Sequence, residues 1–239
     1  MNYSQLNKFV KLSLPILAYS LLNGFVMTFI FWIVGNYLAG NTTEFAIFRF
    51  GAREFPLIVA LTTGLSNAFV PKIVENLAHN AEYTEGGIFL ELKHKTTQLF
   101  HVLFPITIAL MLVSKPLFPI VFNPNFTRSG NIFTIFLLLL LSRALFPQTI
   151  LLALKQTKTL LWVSIIETLS IVLLSYLGIY WLNTEGVAWA LVLGFLLEKI
   201  VLIIILKKRY SIDLKDYTHT SLYWVYSILL VLSYLIQLV

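Results

Sequence analysis

Uncharged apolar runs of membrane-spanning length constrain this sequence more than any other feature. The first run, from Leu12 to Leu38, contains no charged residue. About 20 mostly apolar residues are enough for one transmembrane helix, and six further stretches reach or approach that length. The seven predicted transmembrane helices lie at about residues 12–38, 46–70, 96–122, 132–154, 159–182, 187–206 and 221–239. This pattern predicts an all-α fold, a polytopic membrane helix bundle.

The composition agrees with a membrane protein and excludes several other classes. Of the 239 residues, 58% are hydrophobic and 12% are charged, whereas a soluble domain carries about 25% charged residues. The sequence contains no cysteine, which excludes disulfides and thiolate metal ligands. The net charge of +6 is dispersed and no nucleic-acid-binding motif accompanies it. It therefore indicates cytoplasmic loops and a lipid bilayer as partner, and no nucleic acid.

The predicted helices group into two parts. Residues 1–206 are predicted to form a six-helix transmembrane lobe with an interfacial helix at 72–95, and residues 207–239 a basic connector and the seventh helix. Eleven of the 17 lysines and arginines fall on the side of the N-terminus, and at most two, Arg128 and Lys115, fall on the opposite side. Because positively charged loops stay in the cytoplasm, the N-terminus is predicted to be cytoplasmic and the C-terminus to lie outside.

The stretch from Ala46 to Lys72 carries the first candidate site. Arg49, Arg53 and Glu54 open it, and the residues that follow are uncharged up to Lys72. Charges inside a membrane helix usually face a bundle interior or an aqueous cavity, and residues four apart lie on one helix face. We therefore predict that Arg49 and Arg53 line a groove for an anionic head group. The alternative is a structural ion pair of these arginines with Glu54 or Glu44.

Further charged residues lie within the predicted helices, and four of them are candidates for a site or an ion pair. Arg143 is near the middle of the fourth helix, where a charge is most costly. It is predicted to line the cavity, with a buried ion pair as the alternative. Glu167 and Lys199 lie at similar depths in the fifth and sixth helices, which a short loop joins. They are predicted to form an ion pair that Glu198 can share or replace, and the alternative is an ion-coupling site.

Motifs for catalysis and for cofactor binding are missing from the sequence. It has neither a phosphate-binding glycine loop nor a recognisable nucleophile and base. His79, His94 and His101 have no H-E-x-x-H spacing and no surrounding carboxylates, which favours interfacial histidines over a metal site. The chain is predicted not to be an enzyme, and to use no metal and no cofactor.

Three motifs resemble one family of exporters. They are AIFRFGAREFP (46–56), GLSNAFVPK (64–72) and KPLFPIVFNPNFTRSGNIFTIFLLLLLSRALFPQTILLALKQTK (115–158). In this order and spacing they resemble the carboxy-terminal half of polysaccharide or O-antigen flippases. That family belongs to the multidrug/oligosaccharidyl-lipid/polysaccharide exporter superfamily. The likeness in layout covers nearly the whole chain.

The resemblance implies a function, a site and a partner. Such a lobe faces a second lobe across a cavity and moves a polyprenyl-diphosphate-linked oligosaccharide across the bacterial cytoplasmic membrane by alternating access. Arg49, Arg53 and Arg143 would face the cavity and bind the diphosphate. Family members carry an amino-terminal lobe that this sequence lacks, so the second lobe is expected to come from a separate chain or from a second copy.

Other functions are compatible with the same pattern. One is a cation-coupled drug or ion antiporter of the same superfamily, which needs acidic residues in its cavity. Another is a non-functional or assembly fragment that lacks the amino-terminal lobe. A membrane enzyme acting on polyprenyl phosphates is the least favoured of them, because the predicted outer face carries few acidic residues.

Overall fold

Helices make up all the regular structure that the computed structural model describes, which covers residues 3–78 and 87–238, with side chains from residue 13 onward. A short 3₁₀ turn, Pro124–Phe126, precedes α5. The helices are α1 (Tyr3–Tyr37), α2 (Thr42–Gly51), α3 (Pro56–Ala78), α4 (Ile88–Val121), α5 (Thr127–Leu137), α6 (Leu140–Arg143), α7 (Pro147–Ala153), α8 (Thr157–Tyr210), α9 (Leu214–Tyr217) and α10 (Thr220–Ile236).

Several of these helices are long and apolar enough to cross a membrane. Within the described ranges, α1, α3, α4 and α8 satisfy this condition. A fifth span results if Pro124–Arg143 and Pro147–Ala153, which meet at a bend of 45°, are counted together. These helices confirm the predicted fold class, an all-α membrane helix bundle.

The longest helix, α8, is a hairpin of two antiparallel arms. Leu182 and Asn183 have non-helical backbone angles, and Asn183 has a positive φ of 52°. Beyond this break the backbones of Gly178 and Gly186 touch, and Gly194 packs against Ile171. The arms correspond to the predicted fifth and sixth helices. In the described residues, both arms, the bent pair and α10 bring the number of apolar helical segments to seven, although the crossing of the membrane by each of them stays a prediction.

The broken helix formed by α5, α6 and α7 is the centre of the bundle. Residues 134–140 and 144–147 are all buried. Three helices, α2, α4 and α8, pack against α5, while α3 and α8 pack against α7. The break after α6 has a clear cause, because Pro147 lacks a backbone N–H and disfavours helical angles at Phe146. The predicted fourth helix is therefore present as an apolar helical segment, but it is broken into α5, α6 and α7.

Side-chain contacts join the helices at both ends of the bundle. At one end Lys93 Nζ donates to the backbone oxygen of Lys215 at 2.7 Å. At the other end the Tyr37 hydroxyl donates to Asn183 Oδ1 at 3.0 Å, and Lys115 Nζ donates to the backbone oxygen of Gln237. Segments predicted to share a side of the membrane thus meet each other. Which end is cytoplasmic stays a prediction.

The interfacial helix predicted at 72–95 does not form as a separate element in the described residues. Residues up to Ala78 continue α3, and α4 begins at Ile88. Pro71 lies inside α3 and does not end it. Residues 79–86 lie outside the part of the chain that the structure describes, and the predicted interfacial residue His79 is among them.

Candidate functional site

A break between α2 and α3 forms the first wall of the candidate site. The α2 helix ends at Gly51, and α3 begins at Pro56. Proline suits the first position of a helix because its missing N–H has no partner there. Gly51 is also required by packing, because a Cβ at this position would lie 2.5 Å from the backbone oxygen of Ser129. The last residue of α2 is therefore in close contact with α5.

This break corrects one sequence-based prediction. Arg49 lies on α2, but Arg53 lies in the four-residue link between the helices. The two arginines do not share one face of a continuous helix. They are nevertheless brought together, because both line an open pocket of about 420 Å³ whose other lining residues are Met27, Phe31, Ala52 and Glu54.

The two pocket arginines have no ion-pair partner among the described residues. Both side chains are exposed, and Arg53 lies over the ring of Phe50 with its Cζ 5.4 Å from the ring centre. Glu44, one of the expected partners, is bound instead by Arg128 with Nη1 2.7 Å from both carboxyl oxygens. Two guanidinium groups therefore line the pocket without an ion pair of their own in the described chain, because the carboxylate in the lining, Glu54, is bound to Arg143.

Arg143 occupies a different position, behind the pocket. Its Nε donates to Glu54 Oε2 at 2.9 Å and its Nη2 to Glu54 Oε1 at 2.7 Å. The guanidinium also lies over the ring of Phe195, 5.0 Å from its centre. Two parallel bonds of this kind form the strongest pairing between arginine and a carboxylate. Glu54 thus links the pocket to the interior, and the ion pair named as the alternative for Arg143 is present.

A second group of charges lies deeper, between α7 and the α8 hairpin. Lys199 Nζ is 2.7 Å from Glu198 Oε2 and donates to Gln148 Oε1 at 3.0 Å. Glu167 has no hydrogen-bond partner among the described residues. The predicted ion pair between Glu167 and Lys199 is therefore wrong, and Glu198, named as the possible replacement, takes that place. The reason is that Gln148 and Glu198 together satisfy the lysine.

Gln148 could not be chosen from the sequence as a member of this group. It follows Pro147 in a long apolar run and has no acidic or basic neighbour. The sequence indicates only that Pro147 can begin a new helix. The direction of that helix decides which residue Gln148 contacts. The contact with Lys199 connects positions 51 residues apart.

Two histidines in the described part of the chain, His94 and His101, have ordinary contacts. His94 Nε2 lies 3.1 Å from the Gln98 amide nitrogen, and His101 Nδ1 lies 2.8 Å from the Tyr226 hydroxyl. Within residues 3–78 and 87–238, no cluster of histidine and carboxylate side chains is suited to a metal ion.

The match to known proteins comes from a family model that covers the whole chain. The model described as Lipid II flippase MurJ matches residues 1–239. The chain belongs to the lipid II flippase MurJ family. Comparison with curated proteins and with solved structures gave no match.

Membership of the MurJ family decides several predictions. It places the chain in the expected exporter superfamily, among transporters of lipid-linked oligosaccharides rather than enzymes. Together with the apolar helices it indicates a multi-pass protein of the inner membrane. The narrower prediction of an O-antigen or lipopolysaccharide flippase is not supported, because the MurJ family concerns lipid II of peptidoglycan.

Proposed function

We propose that this chain is one lobe of a lipid II flippase and that Arg49 and Arg53 bind the diphosphate of the lipid-linked substrate. The observation that carries this proposal is the pair of exposed guanidinium groups without a carboxylate partner, in an open pocket of about 420 Å³. An intramembrane arginine without a protein counter-ion is costly. An anionic head group would supply the missing counter-charge.

The chemistry of the pocket suits a diphosphate. Guanidinium is planar and always charged, and it binds phosphate oxygens through two parallel N–H donors. A head group that enters the pocket meets Arg49 and Arg53 first. At Arg143 it would compete with Glu54, which accepts hydrogen bonds from the Nε and Nη2 of that side chain. Binding of the substrate to Arg143 would then break the hydrogen bonds between Arg143 and Glu54.

A second lobe completes this proposal. The pocket is open, so this single lobe does not enclose it. We propose that a separate chain or a second copy of this chain faces the pocket, so that movement of one lobe against the other exposes the arginines to each side of the membrane in turn. The N-terminus lies in the cytoplasm in this arrangement.

A binding experiment tests the role of the two arginines. The purified chain in detergent micelles is titrated with a polyprenyl diphosphate, and Arg49→Ala, Arg53→Ala and the double variant are compared with Arg209→Ala. Arg209 is an exposed arginine at the end of α8, outside the pocket. A hydrogen bond to a charged group contributes about 1.5–3 kcal/mol, so each pocket substitution should weaken binding about 10- to 100-fold.

The control and a second ligand make the result specific. Arg209→Ala should bind as the unchanged chain does, and a polyprenyl monophosphate should bind less tightly than the diphosphate. If the double variant binds the diphosphate as well as the unchanged chain, Arg49 and Arg53 are not the head-group site.

A further inference from the structure

A buried cluster of ionisable groups lies inside the bundle, away from the pocket. Glu167, Glu198 and Lys199 on the α8 hairpin are 0%, 3% and 4% exposed. Helices α1 and α7 pack against α8, and Tyr19 of α1 and Gln148 of α7 interact with this cluster. Glu198 and Lys199 satisfy each other at 2.7 Å, but neither carboxyl oxygen of Glu167 has a hydrogen-bond partner in the described residues.

The register of the hairpin places Glu167 opposite Glu198. Gly178 meets Gly186 near the turn, and Ile171 meets Gly194 further down the arms. One helical turn beyond that contact, the same register pairs Glu167 with Glu198. Glu167 is ten residues from the start of α8 and sixteen from the break at Asn183. At 1.5 Å per residue it lies about 15 Å and about 24 Å from the two ends of its arm.

The charges around Glu167 leave it without a counter-ion of its own. The ionisable groups that face it are Glu198 and Lys199 on the other arm, Arg143 on α6, and Tyr19 on α1. Lys199 is bonded to Glu198, and Arg143 is bonded to Glu54. If Glu167 were also ionised, the cluster would carry one uncompensated negative charge in a buried site. A carboxyl group in that position takes up a proton, because the neutral acid avoids the cost of burying the charge.

We propose that Glu167 is a proton-binding site in the interior of the lobe, and that loss of its proton is coupled to the state of the substrate pocket. The coupling rests on the proposed flippase function, whereas proton binding does not. In the protonated state Lys199 bonds to Glu198 and Gln148 and not to Glu167. When the carboxylic acid gives up its proton, the new carboxylate competes with Glu198 for Lys199 and attracts Arg143.

Arg143 carries this change to the pocket. Its guanidinium interacts electrostatically with Glu167 and Glu198 and forms two hydrogen bonds with Glu54. Glu54 lines the same pocket as Arg49 and Arg53. A charge that appears on Glu167 therefore weakens the hold of Arg143 on Glu54 and alters the charge that a head group meets. Substrate and proton act on the same arginine from opposite sides.

A proton fits this site better than a metal cation does. A metal ion needs several oxygen ligands at once, and the described part of the chain has no histidine–carboxylate group that could hold one. Lys199 and Arg143 place two positive charges beside the carboxylates, which disfavours a further cation. Sodium therefore serves as the competing ligand in the test.

Infrared spectroscopy of the intact chain in lipid vesicles tests proton binding directly. A protonated carboxylic acid in a dry site gives a carbonyl stretching band that an ionised carboxylate lacks. The spectrum is recorded over a pH series in sodium chloride and in choline chloride. We expect this band in the unchanged chain, its complete loss in Glu167→Gln, and its retention in Glu75→Gln, which removes an exposed carboxyl group of α3.

Each outcome decides for or against the proposal. A band that persists in Glu167→Gln and disappears in Glu198→Gln would assign the proton to Glu198 and overturn the assignment. A folded chain without the band at any pH would overturn it too, as would a band that sodium removes and choline does not. Glu167→Gln keeps the shape of the neutral acid, so it should fold normally. The band does not depend on transport, so failure here is distinguishable from failure of the flippase proposal.

Coupling is tested separately in vesicles that contain the complete two-lobe assembly. With the unchanged chain, the rate of lipid flipping should change when a pH gradient is imposed. With Glu167→Gln that dependence should be lost, while Glu75→Gln should keep it. An equal response to the gradient in all three proteins would show that Glu167 is not coupled to flipping.

Discussion

At the residue scale, four arginines of the described chain differ in what neutralises them. Arg128 is bound by Glu44, and Arg143 is bound by Glu54. Arg49 and Arg53 have no such partner in the described ranges, and they are the two that share a pocket. The net charge of the pocket therefore depends on which carboxylates are bound by other arginines. A count of charges along the sequence does not reveal this.

Replacing a pocket arginine by lysine separates charge from geometry. Arg49→Lys and Arg53→Lys keep the positive charge but lose the planar fork that binds two phosphate oxygens. We expect each to weaken binding of a polyprenyl diphosphate by several-fold, which is less than the loss in the alanine variants. Isothermal titration of the purified variants measures this order. Lysine variants that bind no better than the alanine variants would mean that charge alone contributes nothing.

Arg143 and Glu54 should stabilise the fold as a unit. Removing either one leaves a half-buried charge without its partner, whereas removing both leaves none. The double variant of Glu54→Ala and Arg143→Ala should therefore be less destabilised than the sum of the single variants, with a coupling of about 1–3 kcal/mol. Unfolding in detergent, followed by circular dichroism, gives the three values needed.

The pair formed by Arg128 and Glu44 provides the matched control for this cycle. It has a similar length, but the Arg128 side chain is 53% exposed. Exposed ion pairs contribute about 0–1 kcal/mol, so its coupling should be clearly smaller. Equal coupling in the two pairs would show that Arg143 is not specially dependent on Glu54.

The sequence shows which charges lie inside apolar stretches but not which groups they contact. Such charges are expected around a pocket or in buried pairs, because burying a charge alone is costly. The choice among the possible partners depends on the fold. Lys199 donates hydrogen bonds to Glu198 and Gln148. The bond to Gln148 depends on the orientation of α7 after Pro147. That orientation is a property of packing between distant segments.

At the element scale, the α8 hairpin depends on two glycines. Gly178 and Gly186 let the backbones of the arms touch beside the turn. A side chain on either would have to push the arms apart. The close contact also fixes the register that sets Glu167 opposite Glu198 further down.

Adding one methyl group at Gly178 should open the hairpin. In Gly178→Ala the new Cβ would lie 2.5 Å from the backbone oxygen of Gly186, which cannot move independently of its arm. Overpacking of this kind costs about 1–3 kcal/mol, and thermal unfolding in detergent should show a loss of that size. Gly64→Ala in α3 is the control, because no atom lies within 4 Å of its Cβ position. There alanine should be neutral or stabilise by up to about 1 kcal/mol.

The breaks within elements were only partly predictable. The sequence shows prolines, but Pro105, Pro116 and Pro119 lie inside the continuous helix α4, whereas Pro56 and Pro147 begin new helices. What distinguishes the last two is the neighbouring structure. At Pro56 the preceding helix runs against α5 at Gly51, and the chain must change direction. Hydrophobicity also does not show which segment lies at the centre of the bundle, because a stretch buried among helices is as apolar as one that faces lipid.

At the scale of the whole molecule, contacts at the two ends agree with alternating crossings of a membrane. Lys93 meets Lys215 at one end, and Tyr37 meets Asn183 at the other. The distribution of lysine and arginine predicts that the first of these ends is cytoplasmic.

The absence of natural cysteine makes this orientation easy to test. Single cysteines are introduced at Asn125, just before α5, and at Lys158, in the first turn of α8 after α7; both positions are exposed. A membrane-impermeant maleimide added to intact cells should label Asn125→Cys and should label Lys158→Cys only after permeabilisation. The reverse pattern would place the N-terminus outside. A reporter fused after Val239 should likewise be extracytoplasmic.

The hairpin in α8 also bears on how the chain is inserted during synthesis. A charged residue at the middle of a single helix costs about 2.5–3.5 kcal/mol when it enters the bilayer, and the second arm carries Glu198 and Lys199 side by side. Only the turn around Asn183 separates this arm from the first. The two arms can therefore leave the translocon as one unit, with the glycine contact already closed. The first arm would then shield one side of the ion pair when it enters the lipid phase, before α10 has been translated.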